Sequence, residues 1–567
     1  MLSIPDKAEP IHCSEIATLE AEWWRLRPFL ALVCLLTAVP LVWPSLPPLI
    51  DLPGHVGRYR IELDLALSTS LQHYYGFRWA IMPNLGFDLL IVPFAPMLGL
   101  EPAVKLITLS VPVLTTAGIF WVSRLVHGKL PSTTFFAVPL VYGYPFMYGF
   151  LNFSLSMAAA LLAFGLWLQL GQGERLHLRA ALFLPTACIV WLIHIFGWGI
   201  LASLIFSSEL ISAHDTEPSW PRAIKRAGLK ASVLALPLVL MVLWHSGHTG
   251  LGIVEWSLYW KPFALFSALR DRWLLWDCLS VGVLVTLIGS AIFDDHMRFA
   301  RSLVASASIL MAIFLAIPSS MLGGSYADMR LAPFVLMIAT MAIREQREDP
   351  SSRRAIATLG LLFVATRLVG NTISLAVAGA INEEELTALR HIPPGSAVLS
   401  LVGQDCHQTW YVERDGHLGS LVISRNRGFS NDQWAIPGQQ LLKINYLAAG
   451  EFMADPSQQT YTKDCVSWLI ARGVKPLPET AEHAIGTFPR SAFDYVWLIN
   501  PGDFSSRPHP GLSLVWAGRR SLVFKINRPR PKKHESAMTP ALVDARTSGS
   551  FTLRLQYRPP RRMVISA

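Results

Sequence analysis

Apolar runs close to the length that crosses a bilayer recur along the first two-thirds of the chain. The first is Pro28 to about Leu49. Polar, partly acidic residues precede it and no small-residue cleavage site follows, so it reads as an uncleaved anchor. Ten further spans are predicted near 104–126, 132–150, 152–170, 179–195, 196–211, 229–245, 275–293, 300–318, 331–344 and 354–379, about eleven transmembrane helices in all. Residues 179–211 are long for one helix and short for two, with Gly197 and Gly199 as the expected break. Pro93 and Pro96 interrupt the apolar piece 85–100, which predicts an interfacial or re-entrant helix within a first loop of 50–103.

Within that loop, Val56, Tyr59, Leu63, Leu67 and Leu71 recur at helical spacing, beside a polar stripe of Asp51, His55, Arg58 and Glu62. Such a helix is expected to lie at the membrane surface. From about Asn382 hydrophobic density falls. Short β-like runs appear at Ala397–Val402, Leu418–Ser424, Asp494–Ile499, Leu512–Trp516 and Leu522–Ile526, with helix-like stretches at Gln440–Ala448 and Cys465–Arg472. The predicted organisation is a polar segment 1–27, a transmembrane domain 28–380, a small α/β domain 381–528 and a disordered, Pro- and base-rich tail 529–567. The fold class is therefore a mainly α polytopic membrane protein with a small C-terminal α/β domain.

Composition agrees. Of the 567 residues, 52% are hydrophobic and only 15% charged, against roughly 25% charged in soluble domains. The net charge of +9 fits basic loops on one face. Nucleic acid is excluded as a partner, because the Lys and Arg residues cluster between apolar spans without a basic-aromatic module. Placing the N-terminus in the cytoplasm puts Arg124 and Lys129, Arg175 and Arg179, the run Arg222 to Lys230, and Arg344 to Arg354 on the inside. An odd span count then puts the α/β domain outside. There, Cys406 and Cys465 can pair as a disulfide or remain two buried thiols. No Cys/His spacing for a metal is present.

Candidate chemistry gathers at the outer edge. Asp51 starts a helix ahead of a proline, which suits an N-cap, yet a partly desolvated carboxylate there can also serve as general base. His194 lies at a span end, where it can bind phosphate, orient substrate or bond a carbonyl. Asp328 and Arg330, in a short loop at the bundle mouth, form either a local ion pair or a phosphate grip. Arg78, Asp88, Glu255 and Lys261 are weaker outer-side candidates, and Tyr142–Phe150 reads as an aromatic belt.

The early Asp51 in a first outer loop, Gly99-Leu-Glu-Pro-Ala-Val-Lys-Leu106 and Trp121-Val-Ser-Arg-Leu-Val-His-Gly128 resemble the N-terminal module of GT-C type membrane glycosyltransferases. Tyr144-Pro-Phe-Met-Tyr-Gly-Phe-Leu-Asn152, the His194 region, Phe493-Asp-Tyr-Val-Trp497 and Val523-Phe-Lys-Ile526 are similar to a bacterial branch of that group. The resemblance implies a bacterial plasma-membrane enzyme that inverts a hexosyl or pentosyl unit, passing it from a polyprenyl-phosphate donor to a hydroxyl of a glycan or lipid acceptor. It implies Asp51 as general base, and Arg330, Arg58, His194, His55 and Asp328 around the donor phosphate. Members often carry adjacent acids where this chain has Asp51-Leu-Pro, so a divalent cation stays open as cofactor. A transporter or lipid flippase is the competing class, and a non-catalytic assembly protein is the third. Convergence of Asp51, His194 and Arg330 on one cavity is the geometric requirement of the enzyme reading.

Overall fold

The computed structural model describes residues 22–245, 256–320, 326–346, 349–406, 410–436, 440–471, 478–502, 504 and 509–528. Glu255, most of the polar segment 1–27 and the predicted disordered tail lie outside the described residues. The chain is mainly helical and multi-pass. Among the described residues, six helices are long and apolar enough to cross a membrane: Leu100–His127, Leu151–Gln172, Leu176–Ile193, Ile195–Thr216, Leu274–Phe293 and Pro350–His391. A seventh is reached if Trp220–Leu234 and Leu236–Trp244, bent by 58°, count as one span. Pro237 accounts for the bend, since it donates no hydrogen bond and its ring crowds the preceding turn.

The other expected spans are shorter or interrupted, for local reasons. The first run is helical only over Arg27–Leu41, because Pro40, Pro44, Pro47 and Pro48 stop it. Residues 132–150 form a buried 3-10 stretch, Ser132–Tyr142, and a five-residue helix, Tyr144–Tyr148, punctuated by Pro139, Pro145 and Gly143. Arg301–Ala316 and Ala332–Met341 are apolar but short. Residues 179–211 do break into two helices, at His194 and not at the glycines. Residues 86–98 are helical despite both prolines.

The C-terminal region is built on Ala397–Gln404, whose first six residues are all buried. That strand runs parallel to Tyr495–Ile499 on one side and to Phe429–Ser430 and Gln459–Tyr461 on the other. Ser521–Ile526 and Leu512–Ala517 complete the sheet antiparallel. Leu418–Ser424, expected as strand, instead forms a 3-10 turn and the helix Leu421–Asn426. Its β-branched residues are buried by helix packing, which hydrophobicity alone does not distinguish from strand burial. Residues 440–448, expected as helix, contain the strand Leu442–Ile444. Its partner is Tyr75–Phe77 of the first loop, paired Tyr75 to Ile444, so tertiary pairing overrides local propensity.

This pairing changes the setting of Leu52–Asp64. The helix packs beneath Leu421–Asn426 and is buried on its polar side too: Arg58 is 2% exposed, and of the expected apolar stripe Val56, Tyr59 and Leu71 are buried while Leu67 is exposed. It is an internal helix between the helical body and the sheet region, not one lying on a membrane surface. Side-chain pairs fasten the same junction. Arg425 grips Glu101 with two bonds of 2.9 Å, Arg427 meets Asp64 at 2.9 Å, and Arg414 pairs with Asp271. Trp410 donates to Asp277 at 2.7 Å, and Asp277 also takes Arg367 at 2.7 Å.

Candidate active site

Asp51 occupies the backbone N-cap position of Leu52–Asp64, but its side chain accepts no hydrogen bond from the helix end. Capping does not engage the carboxylate. The backbone is fixed instead: Asp51 N donates to Tyr148 O at 2.9 Å, and His55 N donates to Asp51 O at 3.1 Å. Gly149 permits this approach. Its φ is +101°, and a Cβ there would lie 2.8 Å from Asp51 N and 3.1 Å from Asp51 Cβ.

The sheet region delivers His417 to the carboxylate, with Nε2 3.9 Å from Asp51 Oδ1. The Nδ1–H of His417 donates to Asp432 at 2.8 Å. Asp432 is fully buried and also accepts from the Ser420 backbone and hydroxyl, both at 2.8 Å. Trp434 packs on the imidazole at 4.4 Å between ring centres. Burial raises the Asp51 carboxyl to about 7, while the charges of His417 and Arg330 oppose that rise. Burial favours neutral His417, but Asp432, and then Asp455 and Asp51, outweigh it and lift the imidazole to about 9. His55, beside Trp434, is held neutral by burial and by the Arg58 and His417 charges.

Asp51, His55, His194, Asp328 and Arg330 all line one cavity of about 1120 Å³. His194 accepts the Phe196 backbone N–H at 3.2 Å through Nδ1, so it caps the second of the two helices that meet there, and its Nε2 stands 3.5 Å from Arg330 Nη1. The Arg330 guanidinium stacks 3.8 Å over Phe150. Asp328 is committed to Lys261 at 2.9 Å, so the local ion pair there is Asp328–Lys261. Trp256, Trp260, Phe263, Leu310, Ile313 and Ile317 continue the cavity wall as an apolar sector, and Trp256, Phe263 and Ile313 are exposed on it.

Arg58 does not reach this cavity. Spacing put it on the stripe of Asp51 and His55, but tertiary pairing draws its guanidinium to Asp88 at 2.9 Å and Gln440 at 2.6 Å. Glu62 lies beside that pair, and burial pushes its carboxyl up. Cys406 and Cys465 form a disulfide. Among the described residues, the group of three potential metal ligands that lie close together is Asp405, Cys406 and Cys465. The disulfide uses both sulfurs, so these residues do not fit a divalent cation.

Sequence reasoning missed His417, Asp432, Asp455 and Trp434. They sit in short turns of the sheet region, and no spacing connects them to Asp51. Missed as well were Arg270, which lies 5.1 Å over Tyr144, and Glu413, whose carboxyl burial lifts to about 7; both line the cavity.

No family model and no curated protein matches the chain. Two solved structures align with it: ArnT from Cupriavidus metallidurans bound to undecaprenyl phosphate and the same protein in the apo state. Identity is 11% and TM-score 0.45 in both; the first alignment covers 90% of this chain and 98% of that one, the second 88% and 97%. At this identity and TM-score, the function rests on the site geometry.

Proposed function

We propose that this chain is a membrane glycosyltransferase that moves a hexosyl or pentosyl unit from a polyprenyl-phosphate donor to an acceptor hydroxyl on the periplasmic side of a bacterial plasma membrane. One observation carries the reading. A buried carboxylate, a guanidinium and an apolar sector share one cavity, as a base, a phosphate grip and a lipid channel require. The charge bias of the loops supports a cytoplasmic N-terminus and an outward sheet region. Residues 28–380 would bind the lipid donor and 381–528 would close over the acceptor.

The donor chain lies along Phe263, Leu310 and Ile313, which brings its phosphate to Arg330 and His194. Asp51 takes the proton of the acceptor hydroxyl. The acceptor oxygen forms a bond to the anomeric carbon from the face opposite the phosphate. The carbon–oxygen bond to phosphate breaks and its electron pair leaves with the polyprenyl phosphate. The leaving group departs already charged, so no general acid is needed, and the anomeric centre inverts.

The test is sugar transfer by purified protein in lipid nanodiscs, using a panel of polyprenyl-phosphate pentoses and hexoses. Asp51→Asn should lower the rate by roughly 10²–10⁴-fold, the usual contribution of a positioned base. Undiminished transfer by that variant overturns the mechanism, and a transporter would move label across the bilayer without forming a glycoside.

A further inference from the structure

Asp51 lies in the first loop, but an imidazole facing its carboxylate comes from the C-terminal region of the chain. His417 is 7% exposed, and its two ring nitrogens face two carboxylates: Asp432 at 2.8 Å and Asp51 at 3.9 Å. Asp432 cannot turn away, because Ser420 donates to it twice and Gln433 Nε2 holds the Ser420 hydroxyl at 2.7 Å. Gln433 also reaches the Gly54 carbonyl at 3.0 Å, so the cluster is tied to the same helix that Asp51 begins. Trp434 packs against the imidazole at 4.4 Å between ring centres, and both line the cavity.

We propose that His417, oriented by Asp432, is the positioning residue of this site: its imidazolium keeps the Asp51 carboxylate ionised and aimed into the cavity. The proposal rests on the transferase reading only for the use to which the carboxylate is put.

The charge balance around Asp51 is specific. Arg330 acts from the helical side, while Asp455 and Asp432 oppose ionisation from the sheet side. Tyr144, Tyr148 and Tyr326 also face it, with hydroxyls that burial raises, so they stay neutral over the working range. His55 is neutral. His417 is therefore the cation that compensates the two sheet-side acids. Without it, Asp51 would face Asp455 and Asp432 with Arg330 alone. Asp432–His417–Asp51 differs from a serine-protease triad in that the imidazole does not exchange the substrate proton; it stays charged while Asp51 does.

The experiment reads the ionisation of Asp51 directly. A carbodiimide with glycinamide labels protonated carboxyls, and peptide mass spectrometry follows Asp51 against pH in the intact protein. In His417→Gln the labelling midpoint should rise by about one pH unit or more, a tenfold change in proton affinity. Asp432→Asn keeps the imidazole but removes an acid that itself opposes ionisation of Asp51, so its midpoint should rise less than that of His417→Gln. The acidic limb of kcat/KM should shift with the label in both variants. In the unaltered chain, labelling should vanish with a midpoint no higher than about 7. A midpoint unmoved in His417→Gln overturns the proposal, as does unaltered protein that still labels at pH 9. Labelling needs no turnover, so a chain that transfers no sugar refutes the enzyme reading and leaves this one testable.

Discussion

A buried carboxylate acts as a base only while it is ionised, and at Asp51 burial and the neighbouring charges set that condition at about 7. The imidazolium beside it persists to about 9. Activity should therefore rise as pH climbs through 7, where Asp51 loses its proton, and fall above 9, where His417 loses its own. A bell-shaped kcat/KM profile checks this, its limbs belonging to the coupled set of groups and not to isolated residues. Arg330 acts on the other partner. Removing a charged hydrogen-bond donor costs about 1.5–3 kcal/mol, so Arg330→Ala should raise the donor KM roughly 10–150-fold. Lysine should restore little, because it lacks the planar fork that grips phosphate and stacks on Phe150. Steady-state kinetics with varied donor measures both variants. Asp51, His194 and Arg330 could be picked from the sequence because each is an ionisable group at the end of an apolar run, an expensive place for one. Arg58 shared that mark, and what removed it from the site was Asp88, whose proximity no periodicity reveals.

The elements that hold these residues were unevenly legible. Long continuous apolar runs such as 151–172 and 274–293 formed helices, because every backbone group in a membrane must be satisfied within its own segment. Segments rich in proline and small residues did not follow their hydropathy: 132–150 became a 3-10 stretch and a short helix packed inside the body. Leu442–Ile444 became a strand because Tyr75–Phe77 offered an edge. Gly149 is the clearest link from element to chemistry. It ends the helix Tyr144–Tyr148 in a left-handed conformation and leaves room for the Asp51 backbone. Gly149→Ala adds one methyl group and disfavours that conformation. It should push Asp51 away from His417 and reduce kcat by about 10²-fold, the cost of an ångström's misplacement. The variant should still fold, which thermal unfolding in the same detergent checks.

At the scale of the whole molecule, the sheet region lines the same cavity as Asp51. Strand pairing with the first loop, the Arg425–Glu101 and Arg427–Asp64 bridges, the buried Arg414–Asp271 pair and the Trp410–Asp277 bond all fasten it to the helical body. Asp277→Ala leaves Arg367, 1% exposed, without its carboxylate, and breaking a buried pair in this way costs about 3–5 kcal/mol. The expected result is a lower unfolding temperature together with lost transfer, since Trp410 loses its acceptor in the same step. That junction also sets an order on biosynthesis. Asp51, His194 and Arg330 are made and membrane-inserted long before the ribosome reaches His417, and loop closure between such distant segments is slow. Under the proposed mechanism, a chain that ends before His417 holds the base without the cation that keeps it ionised, and pairing of Leu442–Ile444 with Tyr75–Phe77 is part of what brings the two together.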